Sequence, residues 1–153
     1  MTSPSARLAE LGLSLPAVVP PVAAYVPAVR SGAYVYTSGQ LPVVDGALPA
    51  TGKVGAEVAP ERAKELARTC ALNALAAIDA LVGLDAVVRV VKVVGFVASA
   101  PDFTGQPGVI NGASEFLGEV FGEAGRHARS AVGVAVLPLD SPVEVELIVE
   151  IAP

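Results

Sequence analysis

Between Ala59 and Leu81 apolar side chains recur at Ala63, Leu66, Ala67, Cys70, Ala74, Ala77, Ile78 and Leu81, the three- and four-residue spacing of an amphipathic helix. Pro60 near its start and Gly83 just past its end have the usual asymmetry of helix termini. A helix this long with one apolar stripe must lie on something. The Val-rich run Val87 to Val97 that follows it supplies a core strand, so the chain is expected to build a layer of helix on sheet. Arg89 and Lys92 within that run are three apart, and only a bulge or a strand end keeps both off the buried face.

Other elements follow from local signals. Ser5 to Leu11 reads as a short helix closed by Gly12, and Pro16, Pro20, Pro21 and Pro27 then make an extended surface arm. Tyr25 to Arg30 and Ala33 to Ser38 are β-prone runs around Ser31-Gly32, a hairpin signal. Asp45-Gly46 is a second turn. Pro107 to Phe121 reads as a weaker helix, with Ile110, Ala113, Leu117 and Val120 on one side. Ala128 to Leu137 and Val143 to Ile151 read as a closing hairpin across a turn with Pro138, Asp140 and Pro142. The resulting order predicts an α+β fold in which two helices cover one face of a four- to five-stranded sheet and the other face needs water or a partner. Residues 1–24 form the helix and proline-rich arm, and 25–153 a single domain.

Size and charge bound the function. The 153 residues suit one core. Ten Lys and Arg against 15 Asp and Glu give a net charge of −5, without the basic footprint that nucleic-acid binding needs. No apolar run reaches the roughly 20 residues of a membrane span, the first thirty residues lack secretory features, and the one cysteine, Cys70, forms no internal disulfide. A cytoplasmic protein without membrane or nucleic-acid partners is expected.

Alternation in the last two strands bears on where chemistry sits. Along Ala128 to Leu137 the even positions Ser130, Val132, Val134 and Val136 are the bulkier set, expected under the helices. Arg129 then falls on a small-residue face with Ala131, Gly133 and Ala135. Glu144, Glu146 and Glu150 share one face of the final strand, so arginine and carboxylate are expected together on the side away from the helices. A strand guanidinium between Ala128 and Ser130 is costly unless its donors are used. Either a bidentate ligand carboxylate or an intersubunit or intrachain salt bridge with Glu144 or Glu146 would use them. Glu144 beside such an anchor has the chemistry of a general base.

The remaining candidates carry less. His127 is the one histidine, too few for a multi-histidine metal site or a Ser-His-Asp arrangement, and reads as a surface or strand-edge residue. Cys70 reads as core packing. Gly39, between Ser38 and Gln40, would let a ligand or neighbouring chain approach the backbone. The glycines form neither a dinucleotide fingerprint nor a phosphate loop.

Three separated pieces resemble the Rid family, also called the YjgF-like proteins. Tyr25 with Ser38-Gly39-Gln40-Leu41-Pro42 is similar to the N-terminal signature. Ala100-Pro101-Asp102-Phe103, followed by a helix with Asn111 near its start, is similar to the middle. Ala128-Arg129-Ser130, Val134-Ala135, Leu137-Pro138 and Val143-Glu144-Val145-Glu146 are similar to the C-terminal signature. The resemblance spans Tyr25 to the C-terminus and implies a chorismate-mutase-like mixed sheet, assembled as a homotrimer around a central barrel with ligand clefts between subunits.

It further implies a deaminase that hydrolyses small 2-imino or enamine carboxylates to 2-keto acids and ammonia with no cofactor and no metal. By position, Arg129 would bind the carboxylate, Glu144 would orient the attacking water, and Tyr25, Ser38, Gly39 and Asn111 would line a cleft drawn from two chains. This chain departs from the family pattern at Ala131, where many members have cysteine, at His127, often proline, and in its longer N-terminal segment, as in a divergent subgroup. The alternative is a non-catalytic carboxylate-binding or sensor protein of the same fold. The ribonuclease label of some relatives fits the acidic chain poorly, and chorismate-mutase chemistry shares only the fold.

Overall fold

The computed structural model describes residues 2–18 and 23–153; the expected arm prolines Pro20 and Pro21 lie outside them. Helix α1 spans Pro4–Glu10, its first turn capped by the Ser3 hydroxyl. Strands β1 (Ala28–Ser31) and β2 (Tyr34–Thr37) form the expected hairpin, turned at Gly32 with a positive φ of 62° that glycine adopts without strain. Asp45 and Gly46 make the second turn, closed by paired hydrogen bonds between Val44 and Ala47. Then come α2 (Pro60–Val82), β3 (Val87–Ala98), α3 (Gln106–Phe121), β4 (Ala128–Val134) and β5 (Val143–Ile151).

The strands make one five-stranded mixed sheet in the order β1-β2-β5-β3-β4. Here the structure corrects the sequence reading. Strands β4 and β5 are not a hairpin, because β3 lies between them, antiparallel to β5 and parallel to β4. Helix α3 is the crossover that a parallel pair requires. The β4–β5 connection is a loop whose Leu139 and Asp140 both have φ near 59°, unlike a tight hairpin turn.

Both helices cover one face. Along β5, Val143, Val145, Leu147 and Val149 are buried beneath them, while Glu144, Glu146, Ile148 and Glu150 alternate outward. Burying each of those apolar side chains is worth about 1.5–3 kcal/mol, which fixes the strand's facing. The β3 register slips between Val87 and Arg89 and again between Val90 and Lys92, setting Arg89 opposite Glu150 and Lys92 opposite Ile148. Directly opposed residues point the same way, so two bulges deliver both cations to the open face and leave Val90, Val93 and Val97 in the core.

Strand β4 faces opposite to expectation. Val132 and Val136 are 44% and 64% exposed, and the small odd-numbered side lies against α3. The reason is the closeness of that helix. A Cβ on Gly95, which is paired with Ala131, would fall within 2.5 Å of the Ile110 side chain, and one on Gly133 would meet the Gln106 amide. Small residues are what let α3 press onto the sheet, so the bulky valines turn outward.

Among α2 residues, Leu81 departs from its stripe and is 46% exposed. Asn73, absent from the sequence reading, is buried with its amide donating to the Leu41 and Val43 carbonyls at 3.0 and 3.1 Å, which ties the segment after β2 to the helix.

Candidate functional site

Strand β4 begins at the edge of the sheet and carries Arg129 onto the helix side, opposite Val93. Its half-buried guanidinium meets α3. Nη1 donates to Asn111 Oδ1 at 2.8 Å and to Ser114 Oγ at 3.2 Å, which occupies both of its protons. Nη2 makes a longer, exposed contact of 3.4 Å to the Pro107 carbonyl. The outer Nε–Nη2 edge is therefore the side of the fork with donors to spare. Asn111 and Ser114 are three apart in α3, the spacing that puts two side chains on one helix face. That spacing was visible in the sequence, but nothing local said which face met Arg129.

An intrachain salt bridge of Arg129 is not what the structure shows: among the described residues no carboxylate of the same chain lies within ion-pair range of it. The expected meeting with Glu144 is also corrected. Glu144 projects from the open face and Arg129 from the helix face, two strands apart in the sheet, about 10 Å at ordinary strand spacing.

Glu144 instead keeps company with Gly39. Gln40 bridges Val145 through a reciprocal pair of backbone hydrogen bonds, which carries the end of β2 alongside β5. Any Cβ at Gly39 would collide with the Glu144 carboxylate. Ser38, half-buried, donates its hydroxyl to the Val26 carbonyl at 2.6 Å, tying the segment preceding β1 to the same corner. Tyr25 is 53% exposed nearby in sequence. Burial first, then repulsion from Glu146, raises Glu144 above its ordinary value, the direction that makes its carboxylate a stronger base. The chain thus gathers its expected site residues into two groups, Arg129 with Asn111 and Glu144 with Gly39 and Ser38.

His127 is more than an edge residue. Its Nε2 lies 2.9 Å from Ser114 Oγ and its Nδ1 2.6 Å from the Gly125 carbonyl. Cys70 is fully buried, its thiol pushed up by desolvation and then by the Glu144 charge, so it has packing chemistry and not nucleophile chemistry. Among the described residues no cluster of three or more His, Cys, Asp or Glu side chains is placed to hold a metal ion, and no helix is long and apolar enough to cross a membrane.

Sheet order and the one-sided helices define an α+β protein built on a mixed sheet. The family described as "YjgF/chorismate_mutase-like, putative endoribonuclease" matches residues 5–151, and the chain belongs to this YjgF-like (Rid) family. Protein TCP17 of Trypanosoma cruzi is 47% identical over 149 residues, covering 96% of this chain and 93% of the relative. The crystal structure of protein Atu1372 of Agrobacterium tumefaciens, of unknown function, is 47% identical, covers 97% of this chain and 92% of its own, and superposes with a TM-score of 0.90. TdcF of E. coli, crystallised with bound serine, is 29% identical, covers 88% and 94%, and has a TM-score of 0.65.

Proposed function

We propose that the protein is a deaminase of small 2-imino or enamine carboxylates, releasing 2-keto acids and ammonia from clefts between subunits of a homotrimer. The observation that carries this reading is the Arg129 guanidinium, held at Nη1 by Asn111 and Ser114 while its Nε–Nη2 edge, with one long contact to the Pro107 carbonyl among the described residues, keeps donors to spare. A planar fork presented in this way matches a carboxylate bidentately. That a YjgF-like relative binds serine, itself a small carboxylate, supports the same ligand class.

Arg129 and Glu144 on opposite faces of one chain make a single-chain site impossible, and a ring of three copies resolves this by bringing one subunit's Arg129 edge to the next subunit's Gly39–Glu144 corner. The open sheet face, with Phe96, Val94, Val132 and Ile148 beside charged rows, is the surface such a ring would close. In the cleft the imine carbon is already electrophilic. Glu144 orients water toward it and takes its proton, then returns that proton to the nitrogen of the tetrahedral adduct; the C–N bond breaks as the adduct's hydroxyl gives up its proton and becomes the keto oxygen, so that ammonia leaves while the carboxylate stays on Arg129. Tyr25 and Ser38 would shape the walls. None of these steps calls for a cofactor.

The test couples the protein to a dehydratase that generates 2-aminoacrylate or 2-iminobutanoate and follows keto-acid appearance. Acceleration by the wild type, lost in Arg129→Ala and Glu144→Gln, is expected. Carboxylate binding without acceleration would turn the assignment to a non-catalytic binding protein.

A further inference from the structure

His127 and Ser114 stand behind Arg129 in a continuous hydrogen-bonded line. A carbonyl oxygen only accepts, so the 2.6 Å contact to Gly125 makes His127 Nδ1 the donor. In the neutral imidazole Nε2 then carries the lone pair, and the Ser114 hydroxyl 2.9 Å away donates to it. With its proton committed, Ser114 Oγ presents only lone pairs to Arg129 Nη1 at 3.2 Å. Every bond in the series Arg129, Ser114, His127, Gly125 runs in the same direction, the arrangement in which neighbouring bonds polarise and strengthen one another.

We propose that Ser114 and His127 are positioning residues that set the rotation of the Arg129 guanidinium, so that its Nε–Nη2 edge is the one a ligand carboxylate meets. This rests on the carboxylate-binding reading of Arg129 given above. Asn111 fixes one Nη1 proton and the long, exposed contact of Nη2 to the Pro107 carbonyl restrains the fork only weakly; the second Nη1 bond, to Ser114, removes the remaining pivot. Ser114 in turn is a good acceptor only while an acceptor beyond it takes its proton. His127 fills that role because the 3-10 turn Gly122–Gly125 ends on the carbonyl that selects its tautomer. His127 also lines a cavity of about 310 Å³ with Tyr34, Arg89, Arg126 and Glu150, and the backbone carbonyl of Gly125, not one of these charged groups, is what its Nδ1 engages.

The test joins binding to the spectrum of the single histidine, whose ring nitrogens are assigned without ambiguity. With 2-oxobutanoate as probe, Ser114→Ala should weaken binding about 5–20-fold, as for a lost hydrogen bond to a partly solvated charge. Ser114→Thr should stay within about twofold. His127→Ala should weaken it less, about 2–5-fold, and the double variant should bind no worse than Ser114→Ala alone, because the histidine acts only through the serine. Additive losses, or equal losses in the Thr and Ala variants, would overturn the relay. In the ¹⁵N spectrum, His127 should be protonated at Nδ1, and its Nε2 resonance should move in Ser114→Ala and in Arg129→Ala. If the wild type fails to bind 2-oxobutanoate, the carboxylate reading of Arg129 falls by itself. An Nε2 resonance indifferent to both substitutions sinks the relay whatever the binding result.

Discussion

Arg129 and Glu144 lie on opposite faces of one β-sheet, the first against α3 and the second beside Gly39. If they serve one reaction, each cleft takes them from different subunits. Mixtures of Arg129→Ala and Glu144→Gln chains, each inactive alone, should regain activity after joint unfolding and refolding. Random assortment leaves about a quarter of the clefts with both groups. The imine-hydrolysis assay on the mixture checks this, and a mixture as inactive as its parents would mean that the two residues do not share an intersubunit cleft.

Glu144→Gln should separate stability from activity. Burial and Glu146 raise the folded-state value of Glu144, so the folded chain holds this proton to higher pH than the unfolded chain. Its contribution to stability is thus lost as pH rises from the ordinary glutamate value through the raised one. Replacing it by Gln should raise the melting temperature by about 1–3 °C at pH 7–8, with no difference below pH 4, while removing turnover. Melting curves across that range decide it; a variant less stable at neutral pH contradicts the assigned cause.

Gly39→Ala acts on the same corner by displacement. The atoms nearest the new methyl group all belong to the flexible Glu144 side chain, its carboxylate first, so stability should change by less than about 1 kcal/mol. A misplaced base should nonetheless cost on the order of a hundredfold in kcat. Parallel denaturation and rate measurements separate the two, and unchanged kcat would detach Glu144 from the chemistry.

Two glycines of α3 should respond in opposite senses. At Gly112 a Cβ would run into the Lys64 backbone carbonyl of α2, which cannot swing aside, so Gly112→Ala should cost about 1–3 kcal/mol by prising the helices apart. Gly118 has nothing within 4 Å of a Cβ, and Gly118→Ala should add about 0.5–1 kcal/mol through helix propensity. Urea denaturation of both variants measures the pair.

Much of the architecture is legible in short windows of the chain. The stripe from Ala63 to Ile78, the turns at Gly32 and Asp45-Gly46 and the alternation of β5 are set by local periodicity and backbone preference, and the structure follows them. The paired requirement at Arg89 and Lys92 also had only a bulge as its resolution within the strand, and two register shifts supply it. Family motifs around Ser38-Gly39, Asn111 and Arg129 marked the residues that the two site groups contain.

Side-chain bulk alone misjudged β4. Valines at the even positions looked like the buried set, yet the face that packs is decided by how closely α3 approaches, and Ile110 over Gly95 sets that distance. Likewise β4 and β5 are close in sequence but not paired, since strand order depends on where a crossover helix returns the chain and not on loop length. The sequence by itself determined the elements, the turns and the identity of the polar residues, because these rest on interactions a few positions apart. Only the tertiary structure decided that Arg129 points into α3, that Ser114 and His127 line up behind it, and that Glu144 stands on the other side of the sheet. Those relationships join residues from separate elements, and their geometry is set by packing between layers.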